Sequence, residues 1–295
     1  MRPSANIIDW HVVLSALTPD AQPAEIRSEA VAGGCINQAY RLTRGKSRYF
    51  VKLNRADRIS MFEDEADGLK ALAAAGVIRT PTTLGHGVSG DKAYLLLEYI
   101  DLGGSGDPAL AGRQLAELHR QTGTRFGWHR DNTLGSTPQP NTPNDSWAVF
   151  WQQYRLGHQL DLAAHRGEGG KVQQLGRRLL EQVPELLDHD PLPSLLHGDL
   201  WSGNFAYDRE GTPVIFDPAV YYGDRETDLA MSELFGGFPA TFYNAYNETW
   251  PLPPGYPVRK RLYNLYHILN HLNLFGGGYR QQALGLIEQL LAELG

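Results

Sequence analysis

Short apolar runs bounded by turn-forming residues occur twice in the first hundred residues. The stretches SRYFVKLN (47–54) and KAYLLLEYI (92–100) are rich in aromatic and β-branched or aliphatic residues, which predicts two strands. Between them, apolar residues recur with a helical period in ISMFEDEADGLKALAAAGV (59–77). We therefore expect a helix that opens near Ser60 and ends at Gly76, and a shorter helix over about residues 7–17.

The pattern changes after DLGGSGDP (101–108), whose glycines and proline indicate a hinge. Beyond it, two short strands are expected only on either side of the DREG turn (208–211). Elsewhere the helical period predominates, and we predict helices over about 108–121, 145–164, 171–188, 225–235, 239–249, 258–274 and 279–294. The stretch GWHRDNTLGSTPQPNTPNDSW (127–147) is predicted to be a long loop without secondary structure, and such loops tend to be functional.

This order of elements predicts an α+β fold with two lobes. A small β-rich N-lobe would cover residues 1–101, and a larger, mainly helical C-lobe would cover residues 102–295. The cleft between two such lobes is where ligands usually bind.

Composition excludes several classes of protein. The net charge of −6 argues against a general nucleic-acid or anionic-membrane binder, and no run of about eighteen apolar residues appears. The single cysteine, Cys35, rules out an internal disulfide and a cysteine-based zinc site. Without a charged-then-apolar leader, the expected location is the cytoplasm.

Lys52 and Glu65 form the first candidate pair of functional residues. Lys52 lies among apolar residues of the strand RYFVKL, and a lysine there can simply extend its amine to solvent. On the following helix, however, Glu65 shares the apolar face with Phe62 and Leu69, where a charge needs a partner. A strand lysine paired with a helix glutamate positions the α- and β-phosphates of a nucleotide in kinases.

The stretch VAGGCINQAYRL contains two glycines, Gly33 and Gly34, between two predicted strands. Two glycines are more often a tight hairpin than a phosphate cradle, and no Walker sequence follows. Their position just before the strand of Lys52 matches that of a kinase glycine-rich loop, which favours contact with nucleotide phosphates.

The stretch HGDLWSGN has the Asp-x-x-x-x-Asn spacing of a kinase catalytic loop. In such a loop, Asp199 would accept the proton of a hydroxyl group, and Asn204 would bind magnesium. VIFDP then places Asp217 at the end of a strand, where the second metal ligand belongs. Together these motifs predict a protein-kinase-like fold. Because Pro218 restricts the backbone at Asp217, a mobile, phosphorylation-regulated loop is not expected.

The chain resembles the fructosamine kinase (ketosamine-3-kinase) family, within the aminoglycoside phosphotransferase and choline kinase superfamily. The resemblance spans nearly the whole chain and is carried by these motifs: GGCIN, FVKLN, DNTLGSTPQPN, LLHGDLWSGN, DPAVYYGDRETDLAM, LFGGFP and LYHILNHLNLFGGGY. It implies ATP-dependent, magnesium-dependent phosphorylation of the 3-hydroxyl of a ketosamine, either small or protein-bound. The product then decomposes and frees the amine, which amounts to deglycation.

The resemblance also implies roles for particular residues. Asp199 would be the catalytic base, Lys52 and Glu65 the pair that positions the phosphates, and Asn204 and Asp217 the magnesium ligands. Glu98, Tyr99 and Ile100 would form the hinge that contacts adenine. Asp224 and Asp228 precede and begin a helix, so we expect them to cap it and to hold the catalytic loop.

Trp201 and His271 are candidate substrate-binding residues. A tryptophan in a polar, glycine-rich loop has little to pack against, so its ring is expected to face the sugar. His271 shares a helix face with His267 and Asn270. A zinc site is disfavoured there, and His271 is interpreted as lining the substrate side of the cleft or as a core histidine.

Cys35 lies in the predicted phosphate loop and is either an inert small residue or a reactive thiol. The family resemblance links this cysteine to redox control, which predicts a monomer that forms a disulfide-linked homodimer on oxidation. The alternatives for function are a phosphotransferase acting on an aminoglycoside, choline or another amine-bearing acceptor, and a nucleotide-binding scaffold without turnover.

Overall fold

The structure is a computed structural model that describes residues 8–15, 17, 25–32 and 36–295. Gly33, Gly34 and Cys35 lie outside the described residues, so the predictions for the phosphate loop and the thiol stay predictions. The chain divides into two compact units. One contains the residues up to 106 together with 206–217, and the other contains residues 107–205 and 218–295. The lobe limits 1–101 and 102–295 stay a prediction of the sequence.

The described residues form short strands and helices of very different lengths. The strands are β1 (Ile26–Val31), β2 (Gln38–Arg44), β3 (Ser47–Arg55), β4 (Thr83–Ser89), β5 (Lys92–Glu98), β6 (Asn132–Leu134), β7 (Thr137–Gln139), β8 (Ser194–Leu196), β9 (Phe205–Tyr207), β10 (Pro213–Ile215) and β11 (Tyr221–Gly223). The helices are α1 (Trp10–Ser15), α2 (Ile59–Ala75), α3 (Pro108–His119), α4 (Trp147–Trp151), α5 (His158–His165), α6 (Lys171–Glu181), α7 (Val183–Leu186), α8 (Glu226–Leu234), α9 (Ala240–Thr249), α10 (Tyr256–Phe275) and α11 (Arg280–Glu293).

The first unit is built on a five-stranded antiparallel sheet in the order β1-β2-β3-β5-β4. Lys52, within the central strand β3, lies opposite Ala39 of β2 and Leu95 of β5. Helix α2 buries Phe62 and Leu69 and ends where the backbone of Gly76 turns left-handed, with φ of 66°. The two predicted strands and the helix between them are therefore confirmed.

Apart from Phe205, the hairpin β9–β10 belongs to the first unit, although it follows the catalytic loop in sequence. It is attached by isolated bridges, of Leu102 with Asp208 and of Arg79 with Val214. Gly104 makes this approach possible, because a Cβ there would lie 1.8 Å from the carbonyl oxygen of Asp208. The two strands predicted around the DREG turn are confirmed.

The second unit is mainly helical, and α10 lies in its core. Of the aromatic side chains there, Trp151 and Tyr263 are fully buried and meet edge to face with ring centroids 4.8 Å apart. Aromatic pairs of this geometry add about 0.5–1.5 kcal/mol to the stabilisation from burial. The predicted helices over 225–235, 239–249, 258–274 and 279–294 correspond to α8 to α11, within two residues at each end.

Two predicted helices are interrupted in the structure. The helix expected over 145–164 contains a π-helical turn at Gln152–Gly157, between α4 and α5. The helix expected over 171–188 is divided between α6 and α7, because Pro184 in the first turn of α7 cannot donate a backbone hydrogen bond to a continuing helix.

The prediction of a loop without secondary structure over 127–147 is wrong. Residues 132–139 form the two-stranded hairpin β6–β7. The amides of Asn132 and Gln139, in its strands, and of Asn141, just after it, are buried and hydrogen-bonded to one another. The polar residues that suggest a loop in the sequence are therefore paired inside the fold.

No helix among the described residues is long and apolar enough to cross a membrane.

Gly112 provides a test of the packing of α3 against α9. A Cβ at Gly112 would lie 2.1 Å from the carbonyl oxygen of Phe242, whereas one at Gly285 of α11 would contact nothing. We expect Gly112→Ala to lower the free energy of unfolding by about 1–3 kcal/mol through overpacking. The matched variant Gly285→Ala should raise it by about 0.5–1 kcal/mol, because alanine favours a helix over glycine. Urea unfolding measures both, and equal effects of the two substitutions would contradict the packing described.

Candidate active site

In the first unit, the structure brings together Lys52, Glu65 and Asp217. The Lys52 Nζ donates a hydrogen bond to Glu65 Oε1 at 2.6 Å and another to Asp217 Oδ1. Only 7% of the Lys52 side chain is exposed, against 44% of the Asp217 side chain. The predicted pairing of the strand lysine with the helix glutamate is therefore observed, and Asp217 extends it toward solvent.

The three charges of this cluster do not balance. Burial would lower the pKa of Lys52, but the carboxylates of Asp217 and Glu65 outweigh burial and raise it above its ordinary value. Burial raises the pKa of Glu65 to about 7, opposed by Lys52 and reinforced by the charge of Asp217. One ammonium faces two carboxylates, so the cluster carries excess negative charge when both acids are ionised.

Asp217 has an unusual backbone conformation. Its φ is 58°, and it is the only non-glycine residue with a positive φ among the residues the structure describes. A non-glycine residue in this region is strained by about 1–3 kcal/mol, and such residues cluster at functional sites. The proline at position 218 was expected to keep Asp217 out of the right-handed helical region, and the observed φ lies outside that region.

The predicted hinge residues Glu98, Tyr99 and Ile100 lie at the end of β5. The Glu98 carboxylate accepts hydrogen bonds from Arg79 Nη2 at 2.7 Å and from the Thr82 hydroxyl at 3.1 Å. The ring of Tyr99 lies under the guanidinium of Arg48, at 4.7 Å from its centroid. Both side chains therefore have structural partners within the unit, which leaves the backbone as the part that could recognise a base.

In the second unit, the catalytic loop is held by Asp228 of α8. The Asp228 carboxylate accepts the backbone N–H groups of His197 at 2.7 Å and of Gly198 at 2.8 Å. It also accepts a hydrogen bond from His119 Nε2 at 3.2 Å, while His119 Nδ1 contacts the Tyr246 hydroxyl. Burial would raise the pKa of Asp228, but these hydrogen bonds hold it below its ordinary value. The predicted tethering role of Asp228 is confirmed.

Glycine is required at position 198 of the loop. Its φ is 82°, and an added Cβ would lie 2.0 Å from the carbonyl oxygen of Ala219. The Ala219 N–H in turn donates to the carbonyl of His197 at 2.9 Å. The segment that follows Asp217 and Pro218 is thus packed directly on the catalytic loop, which explains why a glycine stands where protein kinases have arginine.

Asp199 and Asn204 contact each other across the loop. The Asn204 Nδ2 donates to the carbonyl oxygen of Asp199 at 2.8 Å and to its carboxylate oxygen Oδ2 at 3.2 Å. Because Asn204 Nδ2 faces the Asp199 carboxylate, the amide oxygen of Asn204 points away from that carboxylate. The predicted base and the predicted metal ligand are therefore neighbours, whereas Asp217 belongs to the other unit.

Trp201 and His271 are connected by an aromatic side chain that the sequence did not single out. The Trp201 ring meets Phe235 edge to face at 6.0 Å between centroids, and Phe235 lies 5.0 Å from the ring of His271. The Trp201 ring also covers Gly203, where an added Cβ would lie 2.3 Å from the indole. All three rings are partly exposed. Phe235 directly precedes the two glycines of the motif LFGGFP. This motif was the feature of the sequence from which Phe235 could have been identified.

A network of buried amides holds the segment after Asp217, and the sequence analysis missed it. Asn132 Nδ2 donates to the Val220 carbonyl at 2.8 Å, and Gln139 Nε2 donates to Asn132 Oδ1. Arg155, fully buried, donates to Asn141 Oδ1 at 2.7 Å and stacks on the ring of Tyr221. The motif DNTLGSTPQPN therefore acts inside the second unit as a support for the chain that leads away from Asp217 and Pro218.

His189, Asp224 and Glu226 lie within ligand distance of one another, which raises the question of a second metal site. Asp224 accepts hydrogen bonds from His189 Nε2 at 2.7 Å, from Tyr263 and from the backbone of Glu226. Both oxygens of Glu226 are occupied by Arg259 at 2.7 Å. Both carboxylates of the cluster are therefore already occupied by donors of the chain, and Asp224 has the structural role that was predicted.

The sheet with its buried lysine–glutamate pair, and the helical unit with an Asp-x-x-x-x-Asn loop, define a phosphotransferase of the protein-kinase-like fold. The fructosamine kinase family model matches residues 10–293. The chain therefore belongs to the fructosamine kinase family, as the motifs predicted. This makes it an ATP-dependent kinase that acts on a hydroxyl group.

Individual relatives agree with this assignment. The chain is 50% identical over 288 residues to a probable ketoamine kinase of Synechocystis sp., covering 96% of this chain and 97% of the relative. It is 45% identical to a chloroplastic protein-ribulosamine 3-kinase of Arabidopsis thaliana, covering 90% and 82%.

Solved structures share the fold. The crystal structure of a candidate fructosamine-3-kinase from Haemophilus somnus superimposes with a TM-score of 0.87 at 33% identity, over 96% of both chains. An aminoglycoside phosphotransferase shares the fold alone, with a TM-score of 0.61 at 16% identity over 95% of this chain and 98% of that one. The predicted fold class is confirmed.

The contacts of Asp228 predict that its carboxylate holds the catalytic loop in position. Asp228→Asn replaces one carboxylate oxygen by an N–H donor that would face a backbone N–H, so one loop hydrogen bond is lost. We expect the free energy of unfolding to fall by about 2–4 kcal/mol, because charge-assisted hydrogen bonds of a buried carboxylate are lost. We expect kcat to fall by about tenfold or more, with little change in the KM for ATP.

The control for Asp228→Asn is Asp161→Asn, which removes an exposed carboxylate paired with Arg177. Exposed ion pairs contribute about 0–1 kcal/mol, so this variant should behave as wild type in urea unfolding and steady-state kinetics. An Asp228→Asn protein with unchanged kcat would show that the loop does not depend on this carboxylate.

Proposed function

We propose that this protein transfers the γ-phosphoryl group of ATP to the 3-hydroxyl of a ribulosamine or fructosamine, as a ketosamine 3-kinase. The observation that carries the proposal is the catalytic loop, in which Asp199 and Asn204 are neighbours on a backbone held by Asp228. Membership of the family supplies the substrate class, and the names of the relatives in Synechocystis and Arabidopsis agree with it.

Asp199 is the proposed general base. Its carboxylate would accept the proton of the 3-hydroxyl as the hydroxyl oxygen forms a bond to the γ-phosphorus and the bond to the ADP oxygen breaks. The Asn204 amide, 3.2 Å from Oδ2 of Asp199, orients the carboxylate for this transfer. Such groups contribute about 10²–10⁴-fold to the rate of proton-transfer steps.

Lys52 is the proposed partner of the α- and β-phosphates, with Glu65 holding its ammonium in place. A lysine that is 7% exposed and bonded to two carboxylates has few rotamers left, so it is already oriented for a phosphate. The backbone of Glu98, Tyr99 and Ile100 is the proposed adenine contact, and Gly33 and Gly34 are the proposed phosphate loop.

Asn204 and Asp217 are the proposed ligands of the divalent metal, which we take to be Mg²⁺. Their donor atoms suit it, because an amide oxygen and a carboxylate oxygen are the hard ligands that Mg²⁺ prefers. The Asp217 side chain is also 44% exposed, which leaves its carboxylate accessible to a cation. The metal would neutralise charge on the phosphates, and the chain would hold it through these two side chains.

Trp201 and His271 are the proposed contacts of the sugar. Trp201 stands two residues after Asp199, and its flat indole suits the apolar face of a furanose or pyranose. Phosphorylation of an aminoglycoside or of choline is the second candidate function, and the shared fold is its only support. The proposed location is the cytoplasm, where ATP is available, and the redox-dependent homodimer through Cys35 stays a prediction.

A panel of acceptors tests the proposed function. We expect ATP consumption with ribulosamine and fructosamine adducts of a small amine, and little with choline or an aminoglycoside. Asp199→Ala should lower kcat on the preferred ketosamine by about 10²–10⁴-fold and leave ATP binding intact, because the carboxylate acts on the acceptor. A higher kcat/KM on choline or an aminoglycoside than on every ketosamine would overturn the proposal.

Magnesium titration tests the proposed metal ligands. Asn204→Ala and Asp217→Ala should each raise the Mg²⁺ concentration for half-maximal activity by about tenfold or more, because each removes a ligand. Asp57→Ala, which removes an exposed carboxylate of the first unit, should leave the titration unchanged. Identical titrations of all four proteins would mean that other residues bind the metal.

A further inference from the structure

Aromatic side chains continue beyond Trp201 and His271 toward solvent. The His271 ring lies 5.5 Å from the ring of Phe275 and 5.1 Å from that of Tyr279, measured between centroids. With Phe235, these rings form a continuous series, in steps of 5 to 6 Å, from Trp201 to Phe275. We call Phe235, His271, Phe275 and Tyr279 the aromatic row.

The outer end of the aromatic row is unusually exposed. Phe275 is 55% exposed, and it is the only aromatic among the large apolar side chains that are strongly exposed in the described part of the chain. The inner members of the row are only partly exposed. An apolar surface that begins beside the candidate catalytic loop and ends in water is typical of a binding groove rather than of a core.

The residues after Phe275 leave its surroundings open. Gly276, Gly277 and Gly278 follow it directly, and a Cβ at any of them would contact nothing within 4 Å. Gly276 has φ of 88° and needs to be glycine, but Gly277 and Gly278 have no positive φ that requires it. Neither packing nor backbone conformation therefore requires glycine at two of these three positions. Glycines there do leave space beside Phe275 through which a ligand could reach its ring.

His271 adds a polar group in the middle of the row. Its Nδ1 lies 2.8 Å from the carbonyl oxygen of His267, so Nδ1 carries the proton and Nε2 is the acceptor of the ring. Burial lowers the pKa of His271, which keeps the ring in this neutral form. An acceptor among aromatic faces suits a protonated secondary amine, which can donate a hydrogen bond and also interact with π-faces.

We propose that the aromatic row is the subsite for the amine-bearing half of the substrate, with Phe275 as its specificity-determining residue. The inference rests on the proposed function, which places the sugar between Trp201 and His271. The nitrogen of the ketosamine would then lie near His271, and the methylene chain attached to that nitrogen would pack on Phe275 and Tyr279. Ketosamines carried on a long alkylamine, such as a lysine side chain, are therefore preferred over those carried on a short amine.

The experiment varies the amine and keeps the sugar constant. Ribulosamine adducts of methylamine, of butylamine and of the ε-amine of Nα-acetyl-lysine present the same reacting hydroxyl. For the wild type, we expect kcat/KM to be roughly tenfold higher for the two long adducts than for the methylamine adduct, the gain from burying a few methylene groups. Phe275→Ala should remove that ratio and leave kcat/KM for the methylamine adduct unchanged.

Two further variants separate the subsite from general effects on the fold. Gly277→Leu should lower kcat/KM for the long adducts only, because its side chain would occupy space that is open two residues after Phe275. Leu192→Ala removes a side chain that is 57% exposed, as Phe275 is 55% exposed, but that is not part of the aromatic row. This control should keep the wild-type ratio.

The outcomes distinguish the subsite from the proposed function. If the wild type phosphorylates the methylamine adduct but shows no preference for long adducts, or if Phe275→Ala keeps the ratio, the subsite inference is wrong and the proposed function stands. A Phe275→Ala protein that loses kcat/KM equally on all three adducts also overturns the inference. If no ketosamine is phosphorylated while choline or an aminoglycoside is, both fail together.

Discussion

The carboxylate of Asp228 is buried in the second unit, and much of the catalytic loop depends on its hydrogen bonds. It accepts the N–H groups of His197 and Gly198 and is itself held by His119. A buried carboxylate is costly unless donors surround it, so the loop and the charge stabilise each other. The left-handed backbone of Gly198, packed on Ala219, completes the turn. Asp199 follows directly, so the position of the proposed base is determined by a residue that takes no part in the chemistry.

In the first unit, the buried charge that needs compensation is the ammonium of Lys52. Lys52 is desolvated on β3 and is compensated by Glu65 and Asp217, one carboxylate more than its charge requires. Burial, reinforced by the charge of Asp217, raises the pKa of Glu65, and the backbone at Asp217 is strained. A proposed metal ligand that is strained and 44% exposed is accessible to a cation, which is the physical link between this cluster and the proposed kinase chemistry.

The proposed acceptor site depends on side chains that do no chemistry. Trp201 can lie over the loop only because position 203 is a glycine, and its far edge is fixed by Phe235. From there the aromatic row offers apolar surface and one acceptor nitrogen, which together match an alkylamine. The preference of this protein among ketosamines would then be decided at Phe275, away from Asp199, and could change without disturbing phosphoryl transfer.

The sequence alone determined the elements whose residues carry their own local signal. Strand-forming composition placed β3 and β5, periodicity placed α2, and Gly76 ended the helix. The spacing from Asp199 to Asn204 predicted the catalytic loop and, with the wider motifs, the family. What only the tertiary structure decided depends on contacts between distant segments. The amides of Asn132, Gln139 and Asn141 suggested a loop but lie buried in and next to a hairpin, because Arg155 and the backbone of Ala219 and Val220 satisfy them. Likewise, no local pattern relates Phe275 to Trp201. Of the two rings between them, Phe235 directly follows α8 and His271 lies in α10, and these helices meet only through packing.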